Sequence, residues 1–417
     1  MLGRRLQLLV HHPSFRWYAI SCLLSTFGGG LSYVVMSWLI LQADNSVSAV
    51  AILMLSFWVP MVLFGPLLGV VADRYSRKWI MIFSNGLRAI ILIAFGIYLH
   101  YHLSATLIYA LMAMLGVCFT VYLPAAIALI REIIEPEDLL YGNSTIDIAY
   151  ETGNVLGMGS AGLIIAISSA STAILINGII FIFCTFALFM VRIKVQKTKE
   201  RSNEPITVQL INDFKLGLNY LGNNSKLLII YCVQILILVG FMTSPVLLVP
   251  FAKNILHTNV SEFGQIDAAL SVGVVTGGIC IPWIAKRFGF VRSIVAMCLV
   301  LALCFSLFSI NRDILIAGIL YFCLGFGLSV WPLIVTQAQN VTHIDFQARV
   351  QSVFNSISGL LVLIMYLLVS LTSHFVSISY YYAFNVVFSL LAAFLLWYYR
   401  ARFNSDALDN ALSSKNN

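Results

Sequence analysis

The sequence predicts an all-α membrane protein, with twelve transmembrane helices in two pseudo-symmetric six-helix bundles. Three observations predict it. Of the 417 residues, 60% are apolar and 10% are charged, against roughly 45–50% and ~25% in an ordinary soluble domain. Twelve apolar runs are long enough to cross a hydrocarbon core of about 30 Å. Two weak internal matches relate the first half of the chain to the second. So few charges cannot coat a water-exposed body of this size, and so apolar a chain does not stay disordered.

The runs fall at 15 to 41, 47 to 71, 79 to 99, 104 to 129, 141 to 167, 171 to 191, 225 to 250, 261 to 285, 291 to 310, 313 to 335, 349 to 373 and 379 to 399. The first is longer than a signal-peptide core and has no A-x-A cleavage site, so it is expected to stay as a helix. Placing the N-terminus in the cytoplasm puts 21 of the 24 Lys and Arg at cytoplasmic ends and only Lys253 and Arg312 outside, with Arg88 inside a run. The positive-inside tendency therefore predicts that both termini are cytoplasmic. The net charge of +7 does not point to nucleic acid, because these cations sit at helix ends rather than in a stripe interleaved with aromatics.

The connection at 192–224 separates an N-terminal bundle, 1–191, from a C-terminal one, 225–417. It opens basic and then sets Leu210, Ile211, Phe214, Leu218 and Leu221 at helical spacing, which predicts an amphipathic helix lying at the membrane interface. Across it, a shift of 213 lays Ser46-Val47-Ser48 on Asn259-Val260-Ser261, and Ala72, Arg74 and Tyr75 on Ala285, Arg287 and Phe288. Leu115-Gly116 followed by Thr120-Val121-Tyr122 and Pro124 likewise resembles Leu324-Gly325 followed by Ser329-Val330-Trp331 and Pro332. Parallel repeats of this kind predict a cavity between the halves near the bilayer midplane.

The most specific local signal is Gly69-Val70-Val71-Ala72-Asp73-Arg74-Tyr75-Ser76-Arg77-Lys78, between the second and third runs. Gly69 permits close helix approach, Asp73 can cap a helix and pair with a cation, and Arg74, Arg77 and Lys78 anchor one membrane face. The segment resembles the G-x-L-A-D-R-x-G-R-K signature of the major facilitator superfamily, with Ser76 at the second glycine, where a tight turn is expected. Ala285-Lys286-Arg287-Phe288-Gly289 is its degenerate counterpart. Within that superfamily, Phe57-Trp58-Val59-Pro60, Phe64-Gly65-Pro66 and the segment at 213 to 221 resemble the macrolide-efflux and enterobactin-exporter branch. This resemblance implies a monomeric transporter in the bacterial cytoplasmic (inner) membrane, exporting an amphiphilic drug or siderophore in exchange for protons. An importer of an iron–siderophore complex and a lysophospholipid transporter are the runners-up. A polytopic enzyme or a sensor is more remote, since the loops are short and residues 400 to 417 are too few for a signalling domain.

Carboxylates inside spans are costly and hence functional candidates. Asp147 and Glu151 stand four apart on one face of the fifth run. Depth matches Arg88 with Glu151, either as a static bridge between helices or as part of a proton-exchanging set with Asp147 the freer acid. Asp267, near the outer end of the eighth run, reads either as a solvated aspartate or as a further coupling acid. Gly157-Met158-Gly159-Ser160-Ala161-Gly162 matches the dinucleotide fingerprint, but no strand precedes it, so close helix packing is expected instead. It also resembles the antiporter motif of drug exporters, with Asn154 in place of that motif's proline.

In this superfamily the first, fourth, seventh and tenth helices face the centre. That resemblance nominates Ser25, Tyr33, Trp38, Thr120, Tyr122, Tyr231, Gln234, Ser329 and Trp331 as lining for an amphiphile, each of them equally readable as packing between helices. No cofactor is expected. There is no P-loop for ATP, the seven histidines fall in loops or at run ends, and the eight cysteines show no metal spacing and read as buried thiols.

Overall fold

The computed structural model describes residues 2–44, 46–99, 101, 104–135, 138–193, 206–400 and 403. Side chains are described for these except at 2–5, 66–74, 140, 144, 206–211, 213, 344, 345 and 348. The regular structure of the described residues is helical throughout. The helices are α1 (Leu2–His11), α2 (Pro13–Ala43), α3 (Val47–Arg74), α4 (Arg77–Leu99), α5 (Ala105–Ile133), α6 (Leu139–Ile167), α7 (Ala170–Phe189), α8 (Ile206–Asn223), α9 (Ser225–Asn254), α10 (Val260–Phe288), α11 (Phe290–Ile310), α12 (Ile314–Leu328), α13 (Trp331–Val341), α14 (Ile344–Thr372) and α15 (Ile378–Tyr398).

Eleven stretches among the described residues are long and apolar enough to cross a membrane, with α12 and α13 counted together. Helix α6 has ample length, about 43 Å for its 29 residues, but Asn143, Asp147, Glu151 and Asn154 make it more polar than the rest. Local chemistry sets the boundaries. Pro13 opens α2, where its missing N–H costs nothing. Asn259 and Glu262 form a reciprocal capping box on α10, with bonds of 2.9 and 2.8 Å. The Asp313 carboxylate accepts the Ile316 amide at 3.0 Å to start α12.

Two compact units result. One comprises Met1–Asn203 with Ala252–Ala268, the other Glu204–Phe251 with Ala269–Asn417. The halves share a register. The shift that lays Val47, the start of α3, on Val260, the start of α10, also lays Arg77 of α4 on Phe290 of α11. The repeat extends to packing. In the first unit Gly116 of α5 lies against the Phe57 carbonyl of α3, and in the second Gly325 of α12 lies against the Leu270 carbonyl of α10. A Cβ at either glycine would strike backbone. Leu270 is the counterpart of Phe57 under that same shift. A buried amide recurs as well. Asn177 of α7 donates to the Gly28 carbonyl at 2.9 Å and to Ser32 Oγ at 2.7 Å. Asn385 of α15 accepts from Thr243 Oγ1 at 2.9 Å, and that hydroxyl lies 2.8 Å from the Gly240 carbonyl. Gly240 falls next to the position that the shift assigns to Gly28.

Four expectations need correction. The run at 313 to 335 is two helices, because Pro332 supplies no N–H and two glycines, Gly325 and Gly327, loosen the preceding turn, leaving a break at Ser329–Val330. Helix α1 precedes the first apolar run and is an addition to the expected set; its Leu8 is 2% exposed and joins the core cluster around Phe15 and Ile130. Two cysteines, Cys232 and Cys280, are exposed rather than buried. Finally, α8 does not simply lie at an interface: it packs on α14. Tyr220 stacks on Phe346 with ring centroids 4.4 Å apart, its hydroxyl accepts the His343 amide at 3.1 Å, and a Cβ on Gly217 would come within 2.8 Å of the Arg349 carbonyl. Gly217→Val should therefore lift α8 from α14, lowering stability by about 1–3 kcal/mol. Faster tryptic cleavage next to α8 than in wild type checks this; unchanged cleavage would show that the contact is dispensable.

Candidate functional site

The acids of α6 are positioned by the way α6 packs. Its buried stripe is Ile146, Ala149, Gly153, Gly157 and Ala161, and the two glycines of this stripe lie against α2. A Cβ at Gly153 would meet the Leu23 carbonyl, and one at Gly157 the Phe27 carbonyl, so the two backbones come into direct contact. Gly162 sits equally close to Val260 and Ser261. The glycine run is thus a helix-packing element, as its membrane context suggests. Asp147, Glu151 and Asn154 occupy a neighbouring stripe, about 100° round the helix. On this stripe Asp147 is exposed and Glu151 is half-buried.

Arg88 does not pair with Glu151. It is 4% exposed, and its Nη1 donates to Ser25 Oγ at 3.3 Å and Asn85 Oδ1 at 3.5 Å. The guanidinium lies 5.0 to 5.6 Å from the ring centroids of Tyr122, Phe181 and Phe119. Three aromatic faces and two neutral oxygens replace the carboxylate that depth counting suggests. Counting rise along two helices fixes height but not the azimuth of either side chain, which is why that match fails. Among the described residues, Arg88 Nη2 and Asn85 Nδ2 are buried without a hydrogen-bond partner. Tyr122 reaches Cys22 Sγ at 4.0 Å, and Phe119 and Tyr150 pack on the same cluster. Ser25, Tyr122 and Arg88 therefore form one buried polar group inside the first unit. Thr120, also buried, bonds its own helix at the Gly116 carbonyl, 2.8 Å away.

Asp267 is not solvated. It is 6% exposed, and its Oδ2 has no hydrogen-bond partner among the described residues. Ala268 beside it faces Gly159 of α6. Trp38 stacks on Phe263 at 6.4 Å, and Tyr33 is half-buried. In the second unit, Tyr231 and Trp331 converge on Phe354 of α14, with centroids 5.2 and 6.1 Å away. Gln234 is 1% exposed with Oε1 unpartnered among the described residues, and Ser329 Oγ donates to the Phe326 carbonyl at 2.6 Å at the end of α12. Sequence reasoning misses Asn85, Phe119, Phe181 and Phe354. Nothing in their local pattern separates them from ordinary packing residues.

Of the charged loop, the side chains of Gly69, Asp73 and Arg74 lie outside the described residues. Arg77 bridges to Glu132 of α5 at 2.7 Å. Lys78 donates to the Phe189 and Val191 carbonyls at 3.1 and 2.7 Å, capping the end of α7. Ser76 makes the turn without positive φ, whereas Gly289, its counterpart in the second half, takes φ +88°. The tight turn survives the missing glycine.

Among the described residues no group of three or more His, Cys, Asp or Glu could hold a metal ion. What the described residues offer is three acids outside any ion pair, aromatic surfaces and scattered single hydrogen-bonding groups, on a helical frame with eleven stretches long and apolar enough to cross a membrane. The helices are those of a polytopic membrane protein, and the comparisons with known proteins make it a transporter. The sequence profile of the Major Facilitator Superfamily matches residues 18–360 and 230–413. The chain belongs to the major facilitator superfamily, and it is a transporter rather than an enzyme. It is similar to an uncharacterized MFS-type transporter, YfiS, of Bacillus subtilis (strain 168), with 26% identity over 187 residues. That stretch is 45% of this chain and spans 44% of the relative's length. Among solved structures, its fold resembles the nucleoside transporter NupG (TM-score 0.70, 15% identity, 94% of this chain and 99% of that one). It also resembles the POT family transporter PepTSo (0.74, 12%, 94% and 99%) and a bacterial homologue of the iron transporter ferroportin (0.70, 14%, 93% and 98%).

Proposed function

We propose that this chain is a proton-coupled exporter of an amphiphilic small molecule, a drug such as a macrolide or a siderophore, working by alternating access from a bacterial cytoplasmic membrane with both termini in the cytoplasm. The observation that carries the coupling is the placement of Asp147 and Glu151. They stand within the first half of α6, on a stripe beside the one that packs on α2, and neither takes part in an ion pair among the described residues. A carboxylate at that depth cannot face hydrocarbon, so the stripe borders a wetted path. Asp267, buried with an orphaned oxygen, is the third acid of the set. The aromatic groups around Trp38 and around Phe354 suit an apolar body carrying a few polar groups. Resemblance to the macrolide-efflux and enterobactin-exporter branch supplies the substrate class and the direction.

Ligand-induced stabilisation of the purified protein tests the substrate class. Macrolides, metal-free siderophores, their iron complexes and lysolipids are compared by thermal shift. A true substrate present at a hundredfold excess over its Kd adds about 2.7 kcal/mol of apparent stability. A shift with the metal-free chelator and none with its iron complex is the expected pattern for secretion. The reverse pattern would turn the assignment to import, and no shift with any of the amphiphiles would reject the class.

A further inference from the structure

We infer that the α4–α7 edge of the first unit carries a binding site for the phosphodiester headgroup of an anionic phospholipid. A cleft of ≈520 Å³ opens there, lined by Ser76, Lys78, Trp79, Phe189 and Arg192 among others. Two cations and a hydroxyl share this cleft. Lys78 uses two ammonium hydrogens on the Phe189 and Val191 carbonyls and keeps a third donor. Arg192 is exposed, while its backbone N–H is held at 3.0 Å by Ser14 Oγ. The main chain beneath the guanidinium is thereby fixed.

The second half of the argument is apolar. Trp79 is 58% exposed and meets Phe189 edge-to-face at 5.8 Å, and the ridge continues along the two helices through Phe83 (71%) and Phe186 (53%). Trp79 and Phe189 stand at adjoining ends of α4 and α7, two of the helices long and apolar enough to cross a membrane, beside the charged loop. An indole at such a helix end is an interface anchor. Cations at one end and an exposed apolar ridge leading from it match the two ends of a phospholipid. A free phosphate would use only the first. Basic groups at a membrane surface each contribute a modest electrostatic attraction to anionic lipid, which adds to the contacts of the acyl chain.

The test uses the full chain in nanodiscs of phosphatidylcholine alone and of phosphatidylcholine mixed with phosphatidylglycerol. Native mass spectrometry counts the bound phosphatidylglycerol, and thermal unfolding gives the accompanying shift. Wild type should retain phosphatidylglycerol and unfold at a higher temperature in the mixed discs. Arg192→Gln should weaken retention about fivefold and remove most of the shift. Lys286→Gln, which removes an exposed cation of the second unit, should leave both unchanged. Equal stability in the two disc types would overturn the inference, as would equal losses in the two variants. Inorganic phosphate giving the same shift in phosphatidylcholine discs would show that the cleft takes a free anion and not a lipid.

Discussion

Replacing Asp147, Glu151 and Asp267 together, as Asp147→Asn, Glu151→Gln and Asp267→Asn, should abolish transport driven by a pH gradient in proteoliposomes while sparing downhill exchange of substrate. Asp147 and Glu151 lie in α6 and Asp267 in α10, and none of the three has an ion-pair partner among the described residues. The amides keep volume and hydrogen-bonding shape but cannot carry a proton. Uphill accumulation would then have no source of energy, whereas exchange down the substrate's own gradient needs only binding and the conformational step. Among single variants Asp147→Asn should cost most, because Asp147 is exposed on its stripe and Glu151 only half so. Gradient-driven uptake unchanged in the triple variant would falsify the coupling assignment, and loss of exchange together with uptake would point to a structural role instead.

Gly157→Leu should leave little folded protein. The Cβ alone would collide with the Phe27 carbonyl, and because the obstacle is backbone no rotamer change relieves it. Overpacking of ordinary cores costs about 1–3 kcal/mol; prising α6 from α2 should exceed that, since the Gly153 contact would be lost as well. Gly159→Ala is the matched control. Its nearest neighbour would be the Ala268 Cβ at 3.4 Å, an ordinary contact. Size-exclusion profiles of detergent extracts would show an aggregated Gly157→Leu and a monodisperse Gly159→Ala. A well-behaved leucine variant would mean that the α2–α6 approach is looser than the backbone geometry indicates.

Much of the frame is legible in the sequence, because lipid removes most alternatives. A run of about twenty apolar residues has to be a helix if its backbone groups are to be satisfied. The glycine run at 157 to 162 is readable too, since membrane context decides between packing and nucleotide binding. The break at Ser329–Val330 is half-readable: Pro332 signals it, but Pro124 sits in the matching place of α5, and that helix runs on through it. What the sequence hides is azimuth. Arg88 and Glu151 match in counted height yet do not meet, and Asp267 looks solvated by position but is buried. The amphipathic period of α8 shows an apolar face without saying whether lipid or α14 receives it.

The register shared by the two halves carries a last consequence. Scaffold contacts descend in pairs, Gly116 with Gly325 and Asn177 with Asn385, while the chemically distinctive residues do not. At the offset of 213 Arg88 corresponds to Leu301, and at the offset of 205 set by the starts of α6 and α14, Asp147 and Glu151 correspond to Ser352 and Ser356. The helix starts therefore repeat between the halves while Arg88, Asp147 and Glu151 have no ionisable counterpart, so a variant at any of them changes one half alone.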